Sequence, residues 1–280
     1  MVFSFTSSLK ALLSVFGLEI RRFRPGSNRS FNRSNFGEQE ILEKLIRDIP
    51  SLPASCVDIG AGDGILHSNS LALFERGFQG IALEWNGARF GRLAWKHKDQ
   101  SHIRLARIKV TPLNIVSLLH GLDLPHEFGV LSLDLDGYDY FVLEAILGSF
   151  SPGILCVEIN EKIPPPLHFT VLWHEDYSWK EDHFYGQSLS QAYALAEAKG
   201  YALVMLEYNN AFFVRNDLNP WPRLNPLQAY QKGYLDRPDR LTRLPWNRDM
   251  EDLQTLSPEK AIARLHQKFA AYAGHYSLKS

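Results

Sequence analysis

The side chains best suited to chemistry are four oxygen donors, two at the end of each of two apolar runs. Asp134 and Asp136 close the first run, and Glu158 and Asn160 close the second. Residues two apart on a strand point to the same side, and ligands bind where neighbouring parallel strands end. Paired carboxylates repel each other unless a cation or a shared proton offsets their charge, and Mg²⁺ prefers oxygen ligands. These four residues are therefore candidate Mg²⁺ ligands at a reaction site; the alternative for Asp136 is the N-cap of a helix.

A glycine-rich turn follows an earlier apolar run. The stretch is Val57-Asp58-Ile59-Gly60-Ala61-Gly62-Asp63-Gly64. Glycines let the chain turn sharply and let a ligand approach the backbone. A dinucleotide fingerprint would need a further glycine where Ile65 stands, and Asp63 would repel a pyrophosphate. The turn therefore favours a ligand with positive charge. A nucleotide-cofactor (NAD-type) oxidoreductase and a glycine turn in some other α/β protein are the alternatives.

The next apolar run, residues 80–84, also ends in an acid, Glu84, which can accept hydrogen bonds from ribose hydroxyls. Together the two motifs resemble those of the class I S-adenosylmethionine (SAM) methyltransferases. Because that cofactor is cationic at sulfur, nearby acids favour its binding. The resemblance implies SAM as the cofactor, bound by Asp58, Gly60, Ala61, Gly62, Asn69, Glu84, Trp85, Val110 and Asp134.

The order of the later motifs is similar to that of the FkbM-type methyltransferases, over residues 36–218. The matching stretches are residues 68–69, 132–137, 157–160, 186–189 and 210–214. This resemblance implies O-methylation of a hydroxyl on a small-molecule, sugar or natural-product acceptor, but it does not identify the acceptor. The four oxygen donors also look like the metal ligands of the catechol-type and macrocin-type O-methyltransferases, although the motifs differ residue by residue.

A loop rich in histidine and aromatic residues, 160–185, is expected to form the acceptor side of the site. Removal of a proton from the acceptor suits an imidazole, because imidazole groups titrate near neutral pH. His183 and His174 are therefore candidate catalytic bases, beside Asp136. The alternative for each histidine is a place on the surface or in the core.

Alternating strands and helices must position these residues. Apolar runs predict strands over residues 55–60, 80–84, 105–110, 130–135 and 154–159, with a helix over 65–76 after the glycine turn. A hairpin is predicted over residues 201–207 and 211–215. The expected fold is α/β, Rossmann-like, of the class I methyltransferase kind: a mostly parallel seven-stranded sheet that ends in an antiparallel hairpin, with helices on both faces.

Three segments are expected along the chain. Residues 1–35 are predicted to form an N-terminal helix and loop, a candidate lid over the cofactor, and residues 36–218 to form the methyltransferase domain. Residues 219–280 are predicted to form a helical extension, with a final helix over 258–272. The extension is expected to pack on the core or to form a homodimer contact.

Composition narrows the range of partners. The 280 residues are 45% hydrophobic, and the net charge of -1 gives no case for nucleic acid. No stretch is long and apolar enough for stable membrane insertion. Cys56 and Cys156 fall in predicted strands, so we expect buried thiols and a cytoplasmic protein. The expected partner is a small-molecule or glycan-like acceptor; a non-catalytic binding protein of the same fold is the remaining alternative.

Overall fold

The computed structural model describes residues 34–280, which are built around one large sheet. The strands are β1 Ser55–Ile59, β2 Gln79–Glu84, β3 Ile103–Arg107, β4 Glu127–Leu133, β5 Ser151–Glu158, β6 His168–Val171, β7 Tyr201–Glu207, β8 Asn210–Arg215 and β9 Tyr276–Lys279. The α-helices are α1 Glu38–Asp48, α2 Leu71–Glu75, α3 Gly87–His97, α4 Ile115–Gly121, α5 Asp139–Leu147, α6 Leu189–Ala198, α7 Pro226–Tyr230, α8 Arg240–Arg243 and α9 Pro258–Lys268. A π-helical turn spans Gln231–Leu235, and 3-10 helices span Pro245–Gln254 and Ala270–Tyr272.

The large sheet has seven strands in the order β3-β2-β1-β4-β5-β8-β7. The pairs from β3 to β5 are parallel, and β8 runs antiparallel to both β5 and β7. The expected fold class, a mostly parallel sheet that ends in an antiparallel hairpin, is confirmed. Each predicted strand is present, with bounds that shift by no more than three residues.

The central strands are covered on both faces. In β4, Val130 belongs to one hydrophobic cluster and Leu131 to another, and Ile154 and Leu155 of β5 divide in the same way. Helix α1 contributes to the first cluster, and α5 and α6 contribute to the second. Strands buried on both faces appear in a sequence as continuous apolar runs, which is why β4 and β5 could be located so well.

The sheet register brings three loops together at the carboxyl edge. Leu133 pairs with Val157 in parallel, so Asp134 and Glu158 follow side by side. Ile59 pairs with Leu133, so the glycine turn leaves β1 next to the same point. Motifs that are far apart in the sequence therefore lie close together at one edge of the sheet.

The predicted helix over residues 65–76 is wrong, because only Leu71–Glu75 is helical. Asp63 accepts hydrogen bonds from the backbone N–H groups two and three residues later, at 2.9 and 2.8 Å, which holds a turn in place of a helix. His67 has a positive φ of 57°, and the Ser68 hydroxyl accepts the Leu71 N–H at 3.1 Å. A loop of about ten residues therefore separates the glycine turn from the next helix.

The residues after 218 contribute to the main core. Tyr234, Leu253, Leu265 and Phe269 belong to the larger hydrophobic cluster. Strand β9 pairs antiparallel with β6 in a second, two-stranded sheet, which was not predicted because β6 is short and its partner is distant in sequence. The predicted final helix is present as α9, followed by a 3-10 turn.

The N-terminal helix and candidate lid were predicted over residues 1–35. Residues 1–33 lie outside the described residues, so only positions 34 and 35 of this segment are described. Cys56 and Cys156 are buried free thiols, as expected. Among the helices of residues 34–280, none has both the length and the apolar character needed to cross a membrane.

Candidate active site

A cavity of about 710 Å³ opens at the carboxyl ends of β1, β2, β3 and β4. Binding sites for small ligands have volumes in this range. All nine residues expected to contact a cofactor line this cavity, together with Asp136: Asp58, Gly60, Ala61, Gly62, Asn69, Glu84, Trp85, Val110 and Asp134. The fold thus gathers these residues into one space, while their contact with a cofactor stays a prediction.

The glycine turn forms part of the cavity wall, and Gly60 is its most constrained residue. The N–H groups of Gly60 and Ala61 both donate to the Leu83 carbonyl at 3.0 Å. Gly60 has φ +85°, and a Cβ atom there would lie 1.7 Å from the Asp134 carbonyl oxygen. Gly62 has φ +60°, but a Cβ there would meet nothing within 4 Å. Gly60 is therefore required by close packing against β4, and Gly62 only by its backbone angle.

Glu84 ties the glycine turn to the loop after β2. Its Oε2 accepts the Gly62 N–H at 2.9 Å, and its Oε1 accepts the Asn86 N–H at 2.6 Å. The side chain is buried, yet it borders the cavity. Because each carboxylate oxygen can accept two hydrogen bonds, Glu84 keeps acceptor capacity for two ligand hydroxyls.

Asp58 lies beneath the turn and is buried at the cavity wall. The Ser70 hydroxyl donates to its Oδ2 at 2.5 Å. Burial raises the pKa of Asp58 to about 6, although hydrogen bonds from Ser70 and Ser132 act in the opposite direction. Near neutral pH this side of the cavity therefore carries negative charge, which favours a cationic ligand.

Asp134, Asp136 and Glu158 each place one carboxylate oxygen within 4.8 Å of the others. Burial raises the pKa of Glu158 well above its usual range, and the charge of Asp134 adds to the effect. The protein around the cavity likewise desolvates Asp134 and raises its pKa, although solvent reaches its side chain through the cavity. Without a cation, at least one of these carboxyl groups holds a proton at neutral pH.

Glu158 lies beside Asp134, and a proton held by one of the two carboxyl groups is shared in a hydrogen bond between them. Glu158 is 7% exposed; its Oε1 accepts the Asn209 amide at 2.9 Å, and its Oε2 is buried. Asn160, the fourth candidate ligand, is fully buried, and its amide nitrogen donates to the carbonyls of His183 and Tyr185 at 2.9 and 3.0 Å. Its Oδ1 makes no hydrogen bond to any described residue. Whether the four residues bind a metal stays a prediction.

Asp139 shapes the loop that carries Asp136, and the sequence analysis missed it. Its buried carboxylate accepts the N–H groups of Leu135 and Gly137 at 2.8 and 2.9 Å. Asp136 has a positive φ of 52°, a strained angle for a residue with a side chain. Burial and then the nearby Asp139 raise the pKa of Asp136 to about 6. Asp139 lies in the first turn of α5, where an acidic residue is favourable, and this was the available signal.

The alternative placement of Asp136, as a helix N-cap, is not what the structure shows. Helix α5 begins at Asp139, its N-cap position is Tyr138, and no side chain caps it. Asp136 instead lines the cavity.

The loop after β6 borders the cavity and is tied to the Asp136 loop by Tyr177. The Tyr177 hydroxyl contacts the carbonyl oxygens of Asp136 and Phe184, each at 3.1 Å. A Cβ on Gly137 would lie 2.6 Å from the Tyr177 ring, so the two loops are in direct contact. Lys109 donates to the carbonyls of Glu175 and Tyr177 at 2.7 and 3.1 Å. These contacts fix the loop that was expected to form the acceptor side.

The structure does not bring His174 or His183 to the cavity. His183 contacts Asp249 at 2.9 Å, and burial lowers its pKa. The His174 ring contacts the His275 ring at a tilt of 54°, with ring centroids 5.0 Å apart. Their catalytic role stays a prediction, and His67 is the imidazole that lines the cavity within residues 34–280.

Comparisons with known proteins give distant matches. No protein-family model and no curated protein sequence matches the chain. Among solved structures, CalS10, an amino pentose methyltransferase from Micromonospora echinaspora, is 14% identical over 68% of this chain and 99% of its own, with a TM-score of 0.41. The N-terminal domain of EvdMO1 with S-adenosylhomocysteine (SAH) is 11% identical over 75% and 96%, with a TM-score of 0.45. Magnesium protoporphyrin IX methyltransferase from Synechocystis is 11% identical over 76% and 96%, with a TM-score of 0.41.

Proposed function

We propose that this protein is a SAM-dependent methyltransferase, of the FkbM type, that methylates a hydroxyl on a small-molecule, sugar or natural-product acceptor. The observation that carries the proposal is the shared cavity of the glycine turn, Glu84 and the carboxylates of the β4 end. Glu84 suits ribose hydroxyls, and the acids around the turn suit a cationic sulfonium.

The loop after the glycine turn argues against a dinucleotide cofactor. A pyrophosphate is bound in such folds by the N-terminus of the helix that directly follows the turn. Here helix α2 begins only at Leu71, after the loop held by Asp63. Asp58 and Glu84 add negative charge at the same wall. A nucleotide-dependent oxidoreductase is therefore the weaker reading of this site.

In methyl transfer, the residues around the cavity would accept a proton and position the acceptor. When bound, SAM would supply the methyl group from its sulfonium sulfur, and the rest of the cofactor would leave as a neutral thioether. Asp136 can accept the proton that the acceptor hydroxyl loses while the new C–O bond forms and the S–C bond breaks. Asp139 holds the Asp136 loop in place, and the cavity walls hold the acceptor close to the reacting carbon.

The carboxylates of the β4 and β5 ends fit a divalent cation. Their donor atoms are all oxygen and converge within 4.8 Å, and a divalent cation would replace the proton that Asp134 and Glu158 otherwise share. When bound, Mg²⁺ would make an acceptor hydroxyl more acidic. We propose Asp134, Asp136 and Glu158 as its ligands, with the Asn160 side-chain oxygen as the fourth candidate.

The first test is calorimetry with SAH and with NAD in separate titrations. We expect heat with SAH and none with NAD; heat with NAD alone would assign the cavity to an oxidoreductase. The second test follows the methyl group from labelled SAM into a metabolite extract, with and without EDTA. Incorporation that EDTA abolishes supports both the reaction and the metal. SAH binding without any incorporation would identify a non-catalytic binding protein.

A further inference from the structure

The two residues that follow the candidate ligand Asn160 are buried and carry opposite charges. Glu161 and Lys162 are each 1% exposed, and the Lys162 ammonium lies 3.2 Å from Glu161 Oε1. Moving two charges out of water costs free energy, and apolar side chains of similar size often replace a buried ion pair without loss of stability. The proposed reaction uses neither residue directly, so the contacts of the pair indicate its role.

All three oxygens of Glu161 accept hydrogen bonds. Oε1 accepts the Asn247 amide at 2.7 Å, Oε2 accepts the Tyr185 hydroxyl at 3.1 Å, and the backbone carbonyl accepts the Tyr230 hydroxyl at 2.5 Å. Lys162 donates to the same Tyr185 hydroxyl at 2.8 Å. We call Glu161, Lys162, Tyr185 and Asn247 the Glu161 cluster. Both charges of this cluster are therefore hydrogen-bonded within the core.

Asn247 brings the C-terminal extension into the Glu161 cluster. It lies in the 3-10 helix Pro245–Gln254 and is 1% exposed. Its amide nitrogen donates both to Glu161 and to the Tyr234 hydroxyl, the latter at 2.9 Å. A flipped amide would place the Asn247 oxygen against the Glu161 carboxylate, so the hydrogen bonds determine its orientation. A residue 86 positions further along the chain thus holds the loop after β5.

Tyr185 connects the Glu161 cluster to Asn160. Its hydroxyl binds Glu161, while its carbonyl accepts one Asn160 amide hydrogen at 3.0 Å and the His183 carbonyl accepts the other at 2.9 Å. The Asn160 backbone N–H donates to the Gln187 carbonyl at 2.7 Å. A flipped side chain would set the Asn160 oxygen against two carbonyl oxygens. Its Oδ1 therefore has a fixed direction, and this buried atom accepts no hydrogen bond from residues 34–280.

We propose that Asn247 is a positioning residue for the metal site: through Glu161 and Tyr185 it holds the Asn160 side chain with Oδ1 free to bind the cation. The inference rests on the proposed function, because it adds to the Mg²⁺ site of that proposal. Groups that hydrogen-bond a ligand from behind fix its orientation, and their loss typically lowers metal affinity about tenfold to hundredfold.

The test measures Mn²⁺ affinity by electron paramagnetic resonance and SAH affinity by calorimetry on the same variants of the full chain. Asn247→Leu keeps the approximate size of the side chain but donates no hydrogen bond, so Mn²⁺ affinity should fall about tenfold. The residues expected to bind the cofactor come mainly from the ends of β1, β2 and β3. SAH affinity should therefore change by less than about twofold.

A double-mutant cycle separates positioning from general stability. Asn160→Ala alone should lower Mn²⁺ affinity, and Asn247→Leu added to it should cause no further loss, because no Asn160 oxygen remains to be positioned. Two losses that add would show that Asn247 does not act through Asn160. If Asn247→Leu does not fold, Tyr185→Phe takes its place in the cycle, since it removes only the hydroxyl that binds Glu161 and Lys162.

Asn219→Leu is the matched control. Asn219 also belongs to the C-terminal extension and makes two hydrogen bonds, but both are to the Trp221 backbone, and it follows β8 at the edge of the sheet where β5 begins. This variant should keep both affinities.

Unchanged Mn²⁺ affinity in Asn247→Leu, an equal loss in Asn219→Leu, or additive losses in the cycle would overturn the inference while SAH binding stands. A natural chain that binds SAH but no Mn²⁺ would overturn it together with the metal site, and the methyltransferase proposal would remain. Failure of SAH to bind would instead remove the proposed function, and the inference with it.

Discussion

Replacement of Gly60 by alanine tests the packing on which the cavity depends. The new methyl group would lie 1.7 Å from the Asp134 carbonyl oxygen, which is a backbone atom and cannot rotate away. The positive φ of +85° adds about 1–2 kcal/mol for a residue with a Cβ. Forced movement of a packed backbone adds about 1–3 kcal/mol. We therefore expect Gly60→Ala to lower the free energy of unfolding by about 2–5 kcal/mol and to abolish SAH binding.

Gly62→Ala is the control, because its φ is also positive but a Cβ there would meet no atom within 4 Å. It should lose only about 1–2 kcal/mol. Urea unfolding followed by circular dichroism measures the stability of both variants, and calorimetry measures their affinity for SAH. If Gly60→Ala were as stable as Gly62→Ala and bound SAH equally well, the contact between the glycine turn and β4 would be wrong.

Three further predictions concern the acids of the site. Glu84→Gln replaces one of the two oxygens that accept the Gly62 and Asn86 N–H groups, so SAH affinity measured by calorimetry should fall about tenfold to hundredfold. Burial raises the pKa of Asp58 from 3.8 to about 6, so the folded state holds the Asp58 proton more tightly than the unfolded state does. The contribution of Asp58 to the free energy of unfolding therefore falls as the pH rises from about 4 to about 6, and it stays level above that pH. Asp58→Asn should therefore gain stability relative to the natural chain over that window, by up to about 3 kcal/mol, in urea unfolding at a series of pH values. Glu158→Gln should lose binding of Mn²⁺, used as a paramagnetic substitute for Mg²⁺, because a carboxylate ligand is removed.

Glu127→Gln serves as the common control for the glutamate variants. Glu127 pairs with Arg215 at 3.2 Å and lies at the start of β4, away from the cavity. A loss of SAH or Mn²⁺ binding in this variant as well would mean that charge removal acts non-specifically. An Asp58→Asn curve that stays parallel to that of the natural chain from pH 4 to 7 would show that burial does not perturb this carboxyl group.

The ends of the central strands could be predicted because burial on both faces leaves an unmistakable apolar run. Asp58, Glu84, Asp134 and Glu158 each stand at the end of such a run, and parallel pairing brings those ends together. Local sequence was therefore sufficient to place these four acids at one edge of the sheet.

The loops were harder to predict because side chains, and not periodicity, determine their course. Asp63 and Ser68 cap backbone groups in a stretch whose composition suggested a helix. Asp139 accepts hydrogen bonds from residues before it, a role that no spacing rule shows. The histidines of the loop after β6 have suitable chemistry, but the direction of each side chain depends on tertiary contacts such as His183 with Asp249.

The most direct measurement is a crystal structure of the protein with SAH. We predict the ribose hydroxyls within hydrogen-bond distance of the Glu84 carboxylate, about 2.6–3.2 Å, and the sulfur next to the Gly60 turn on the side of Asp134. A cavity without the nucleoside at saturating SAH, or a nucleoside bound elsewhere on the chain, would contradict the account.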